Sequence, residues 1–115
     1  MADYDLWSEI QSKTKQLDYS VKELRKSGTA YAEAERAYKV KLRETALRLR
    51  SQDMAVGMIS MTVYGVPEVA ELRFKRDVAE AVYKANQEAI NSIKLQLRII
   101  DSQLSREWSA TGGAA

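Results

Sequence analysis

The chain has no histidine and no cysteine in 115 residues. Without histidine it lacks the commonest general base and the commonest metal ligand, so a Ser–His–Asp triad, a histidine zinc site and a Glu-x-x-His di-iron site are excluded. Without cysteine there is no disulfide, no thiolate nucleophile and no thiolate metal site, a usage that fits a cytoplasmic protein. Pro67 is the single proline, and the five glycines are isolated or in the tail. That leaves few turns and no glycine-rich phosphate loop. No stretch approaches 18 uncharged apolar residues, and the start, MADYDLWSEIQSK, has no basic segment followed by an apolar run. Neither a membrane span nor a secretory signal is therefore expected.

What the chain does have is helical periodicity. From Pro67 to Trp108 it runs for about 42 residues with no glycine and no further proline, a helix of roughly 63 Å. A compact chain of this length is only about 35–40 Å across, so the excess must lie along another long element or another chain. The seam of this helix reads Leu72, Ala79, Tyr83, Asn86, Ile90, Ile93, Leu97, Ile100 and Leu104. Phe74, Val78, Val82, Ala85 and Ala89 widen its apolar face over the first half.

Before Pro67 the pattern predicts helices over about 4–27 and 29–50 and a short one over 53–63. Trp7, Ile10, Thr14, Leu17, Val21 and Leu24 form the first seam; Tyr31, Ala34, Tyr38, Leu42, Ala46 and Leu49 form the second. Gly28 suits a left-handed C-terminal cap and Thr29 the next N-cap. A strand near Ile59–Tyr64 is the alternative to the short helix. Pro67 suits the first position of the long helix, and Glu68 and Glu71 its positive end. The expected fold is all-α, in one domain over 1–109 with a flexible tail at 110–115. Two layouts fit: a three-helix coiled-coil bundle, or an elongated antiparallel hairpin in which Gly28 is only a bend. Both leave apolar surface for a partner, and a homodimer using the distal seam Ile93, Leu97, Ile100 and Leu104 is the simplest solution, unless the first helix covers that seam.

The chemistry left to such a chain is carboxylates, lysines, serines and tyrosines. Glu68/Glu71 and Asp77/Glu80 are spaced to share a metal, but Glu71–Lys75 and Glu80–Lys84 equally read as ordinary helix-surface ion pairs. No catalytic, cofactor or metal residue is assigned, and the expectation is a protein that is not an enzyme. Met54, Met58 and Met61 fall at helical spacing, either as an adaptable contact surface or as a cap on the bundle end. Asn86 sits at a seam position, where a buried Asn fixes register, or at the seam's wet edge.

Charge is the other signal. Residues 36–50 hold six cations against one anion, Glu44, in a chain whose net charge is +2. Arg36, Arg43 and Arg50 fall seven apart, Lys39 lies beside them, and Arg73 and Arg76 stand near the start of the long helix. Together they form a candidate electrostatic surface for an acidic protein or for nucleic-acid phosphates. The bland reading is a solvated face paired with neighbouring acids.

The stretches AEAERAYKVKLRETALRLR and VPEVAELRFKRDVAEAVYKANQEAINSIKLQLRIIDSQLSREW resemble a family of small all-helical proteins encoded by temperate phages and prophages of Gram-positive bacteria. The resemblance covers about residues 30–108. It implies a genetic context among replication, recombination and host-takeover genes, in the cytoplasm of a bacterial host, and carries no active site. It makes a host or phage protein, such as a defence nuclease, the expected partner, with a DNA-transaction accessory as the alternative.

Overall fold

A computed structural model describes residues 2–110, with side chains from Asp5 onward. Three helices follow one another: α1 (Ala2–Ser51), α2 (Val56–Thr62) and α3 (Pro67–Ala110), with a 3-10 turn at Val63–Gly65 before α3. No strand occurs among the described residues, so the fold is all-α and the strand alternative near Ile59–Tyr64 does not form. The expected tail lies outside the described residues from 111 on; residue 110 still belongs to α3.

α1 does not break at Gly28. The two helices expected over 4–27 and 29–50 are one helix of 50 residues, and a bundle of three separate long helices is thereby ruled out. One glycine inside a helix costs only about 1 kcal/mol, less than the hydrogen bonds and packing lost by ending it. The missing side chain is also used: a Cβ on Gly28 would lie 3.2 Å from Cε1 of Tyr83.

The real end of α1 comes after Ser51. Asp53 N–H donates to Arg50 O at 3.0 Å and Met54 N–H to Leu49 O at 3.2 Å. These are the two bonds of a Schellman cap, and they place Asp53 at the left-handed position, with φ 63°. Asp53 therefore closes α1 instead of opening the next helix. α2 starts at Val56 and is shorter than expected. Val66 is extended and its carbonyl accepts from Ala70 N–H at 2.9 Å, so Pro67 is the first residue of α3, where its missing N–H costs nothing.

The chain divides into two compact units. The first combines α1 up to Arg25 with α3 from Ala85; the second is Lys26–Lys84. In each, α1 and α3 segments run antiparallel. In the first unit, α3 turns Ile90 and Ile100 into the core, with Ile93, Leu97 and Leu104 half-buried, while α1 contributes buried Leu6 and half-buried Ile10, Lys13 and Leu17. Asn86 Nδ2 donates to Glu23 O at 3.3 Å, so Asn86 ties α3 to the α1 backbone in the manner of a register pin. In the second unit the core is Tyr38, Leu49, Val63 and Val69, with Ser27 and Thr45 also buried. Val69 is completely enclosed.

Two expectations about α1 change. Leu6, not Trp7, is the buried residue, and Lys13, not Thr14, is the half-buried one. The distal seam Ile93–Leu104 faces α1 of its own chain, with Ile100 buried and Ile93, Leu97 and Leu104 half-buried. Glu9 and Lys13 of α1 line one shallow cavity with Ile100.

Candidate interaction surface

The second unit carries all six of the basic residues singled out above, and it separates them. On α1, Tyr38 and Thr45 are inward and buried. Arg36, Arg43 and Arg50 then fall at the heptad position most nearly opposite the seam, and all three are exposed. They point away from α3. Lys39 is exposed on the flank and pairs with Glu35 at 3.5 Å.

Arg73 and Arg76 do not join this stripe. Arg76 occupies a seam position of α3, half-buried. Its guanidinium lies 4.6 Å from the centroid of the Tyr38 ring, and Nη2 and Nε donate to Oδ1 of Asp77 at 2.8 and 3.0 Å. The bonds to Asp77 hold its proton even more tightly than usual, opposed by some desolvation. Arg76 is thus packing between helices. Arg73 lies 5.6 Å over the Tyr64 ring, bracing the connection into α3.

A polar cluster sits further along the same unit. Tyr31 Oη donates to Oε2 of Glu80 at 2.6 Å, and Lys84 approaches Oε1 at 3.6 Å. The Tyr31 hydrogen bond, then the Lys84 charge, lower the Glu80 pKa. The same hydrogen bond is the main cause that raises Tyr31. The Tyr31 and Tyr83 rings are 6.0 Å apart. With Gly28 against Tyr83, this reads as a structural joint between α1 and α3. Asp77 and Glu80 are each engaged, and no group of three or more potential metal ligands occurs among the described residues.

Apolar side chains that sequence reading passed over complete the surface. Val40 and Leu47 are 51% and 57% exposed. They interleave with the arginines: Arg36, Val40, Arg43, Leu47, Arg50 proceed in steps of four and three, one outward line on α1. The signal was present in the spacing, but those two residues lay outside the seam read for this helix. Of the methionines, Met54 is half-buried, whereas Met58 and Met61 are exposed on α2. α2 itself buries no residue, and only Ile59 and Thr62 on it are half-buried.

No family model, curated protein or solved structure matches the chain. Among the described residues no helix is long and apolar enough to cross a membrane.

Proposed function

We propose that this is a non-enzymatic interaction protein that captures an acidic protein partner on the outward line of α1. The observation that carries this reading is the alternation of Arg36, Arg43 and Arg50 with the exposed aliphatics Val40 and Leu47. Arginine beside desolvatable aliphatic surface is the composition of protein interfaces, where lysine and acids are depleted. A partner helix with acidic residues flanking an apolar row fits such a line. Charge would speed and orient the encounter, the arginines would serve as anchors, and Val40 and Leu47 would add buried apolar area around them. On the phage-like resemblance, the partner would be a host or phage protein, a defence nuclease being one candidate, met in the bacterial cytoplasm.

The second reading is contact with nucleic-acid phosphates through the same arginines. Val40 and Leu47, set within the line of cations, favour the protein partner, since a phosphate-tracking groove gains nothing from aliphatic side chains there. The test compares wild type with Arg36→Glu/Arg43→Glu/Arg50→Glu and with Val40→Ser/Leu47→Ser. Both variants should keep the wild-type melting temperature to within a few degrees, because these residues point away from α3. Both should lose at least about tenfold in affinity for the protein that wild type retains from host extract. Loss in the arginine variant alone, together with a fall of about a thousandfold in affinity for duplex DNA between about 50 and 200 mM salt, would establish the nucleic-acid reading instead.

A further inference from the structure

We propose, resting on the protein-partner reading of the outward line of α1, that the partner segment is itself an α-helix with carboxylates seven residues apart, aliphatic side chains beside them and a cation beyond the aliphatics, and that Glu44 is the residue that selects it over nucleic acid. The charges of this patch are uncommitted. Lys39, Arg76 and Lys84 each pair with an acid of their own chain. Arg36, Arg43, Arg50 and Glu44 form no ion pair among the described residues, and all four are exposed. Arg48 follows Glu44 by four residues, in the favourable acid-then-base order, yet the two do not pair.

Helix geometry zones these charges. Arg36, Arg43 and Arg50 lie seven residues apart, so their backbones span about 21 Å in a nearly straight line. Val40 and Leu47 form the next row round the helix. Glu44, four residues after Val40 and three before Leu47, borders that row on the side away from the arginines. The face therefore runs from cations through an aliphatic pair to one anion. A helix laid along it repeats on the same seven residues, so its acids come into step with all three arginines. Its aliphatics close over Val40 and Leu47, and a Lys or Arg beyond them meets Glu44.

Other occupants fit this face less well. A second copy of the line does not supply the acids: residues 36–50 hold six cations and one anion, so cations would meet cations. A phosphate backbone offers charge of one sign, which repels Glu44 and leaves Val40 and Leu47 without apolar cover. A uniformly acidic helix satisfies the arginines but sets a carboxylate against Glu44. The zoned helix satisfies every side chain of the face, and Glu44 is the repulsive element that rejects the others.

The experiment measures fluorescence anisotropy of labelled probes against the full chain. Three synthetic alanine-based helical peptides of about 21 residues are used. Each carries a row of leucines beside a row of glutamates. On the other side of the leucines the first peptide has lysine and the second glutamate. The third has the composition of the first with its glutamates about six residues apart, out of step with the arginines. Wild type should bind the first peptide about fivefold more tightly than the second and about tenfold more tightly than the third. Glu44→Lys should reverse the preference between the first two, and Glu44→Gln should bring them to within about twofold. Glu44→Lys should also steepen the log–log salt dependence of binding to a DNA duplex of about 20 base pairs by about one. Both variants should keep the wild-type Tm, because Glu44 is exposed and unpaired. If Arg36→Glu/Arg43→Glu/Arg50→Glu weakens the first peptide while Glu44→Lys leaves the preference unchanged, the arginine line stands and the role of Glu44 is overturned. An unchanged salt slope overturns its exclusion of nucleic acid. If the arginine variant binds the first peptide as wild type does, the protein-partner reading itself fails. A wild type that binds none of the peptides, or the third as well as the first, overturns the helical partner. So does self-association of wild type that the arginine variant loses, which would give the line to a second copy.

Discussion

At the residue scale, two positions show how local chemistry was settled by the fold. Asp53 holds a left-handed backbone with φ 63° where glycine is usual. An L-residue pays about 1–2 kcal/mol there, which aspartate partly recovers through local hydrogen bonding. Asp53→Gly should therefore raise stability by about 0.5–1 kcal/mol in urea unfolding. A loss of stability would mean that the Asp53 carboxylate makes a compensating bond. Tyr31 and Glu80 are the second case. Glu80 is lowered first by the Tyr31 hydrogen bond and next by Lys84, so its contribution is present above the unfolded carboxylate pKa and is lost as pH falls through the folded value. Tyr31 is raised, chiefly by that same bond, so its contribution is present below the unfolded phenol pKa and is lost as pH rises through the folded one. In Tyr31→Phe the NMR titration midpoint of Glu80 should move upward, and stability should become less sensitive to acid. A midpoint that does not move would show that Lys84 alone sets the carboxylate.

At the scale of elements, the α3 seam from Leu72 to Leu104 was legible in sequence because large aliphatics occupy most of its inward positions. α1 was harder. Lys13 and Ser20 are half-buried and Ser27 is buried, while Trp7 stays exposed, so choosing the more apolar of two adjacent residues shifted part of the seam by one. Lysine can lie along such a seam because its stem is apolar. Gly28 misled for a related reason: its helix-ending signal was real, but contact with Tyr83 overrode it. Arg76 was read as a surface charge because nothing in its spacing reveals that Tyr38 lies beneath it. The line of Arg36, Arg43 and Arg50 was legible, since seven-residue spacing fixes a face whatever the helix packs on. These assignments also change what the distal seam means. Leu97 is half-buried against its own chain, so Leu97→Asp should destabilise the fold by at least about 2 kcal/mol. The loss of helix signal should be independent of protein concentration. A variant that keeps its melting temperature but loses only self-association would return Leu97 to an interface between chains.

At the scale of the whole molecule, a mostly apolar core admits two polar side chains while several large apolar ones stay outward. Val40, Leu47, Phe74, Val78 and Val82 are exposed while Ser27 and Thr45 are buried. Such a distribution stabilises the isolated chain less than the same composition sorted the other way, because burial of apolar area is the main favourable term. The unfolded chain exposes about 18,900 Å², so folding to 8393 Å² buries roughly five-sixths of what a compact chain of this mass would. The urea m-value scales with that area. At low micromolar concentration it should fall about 15% below the value for compact chains of equal length. A normal m-value would mean that the exposed aliphatics already find cover within the single chain.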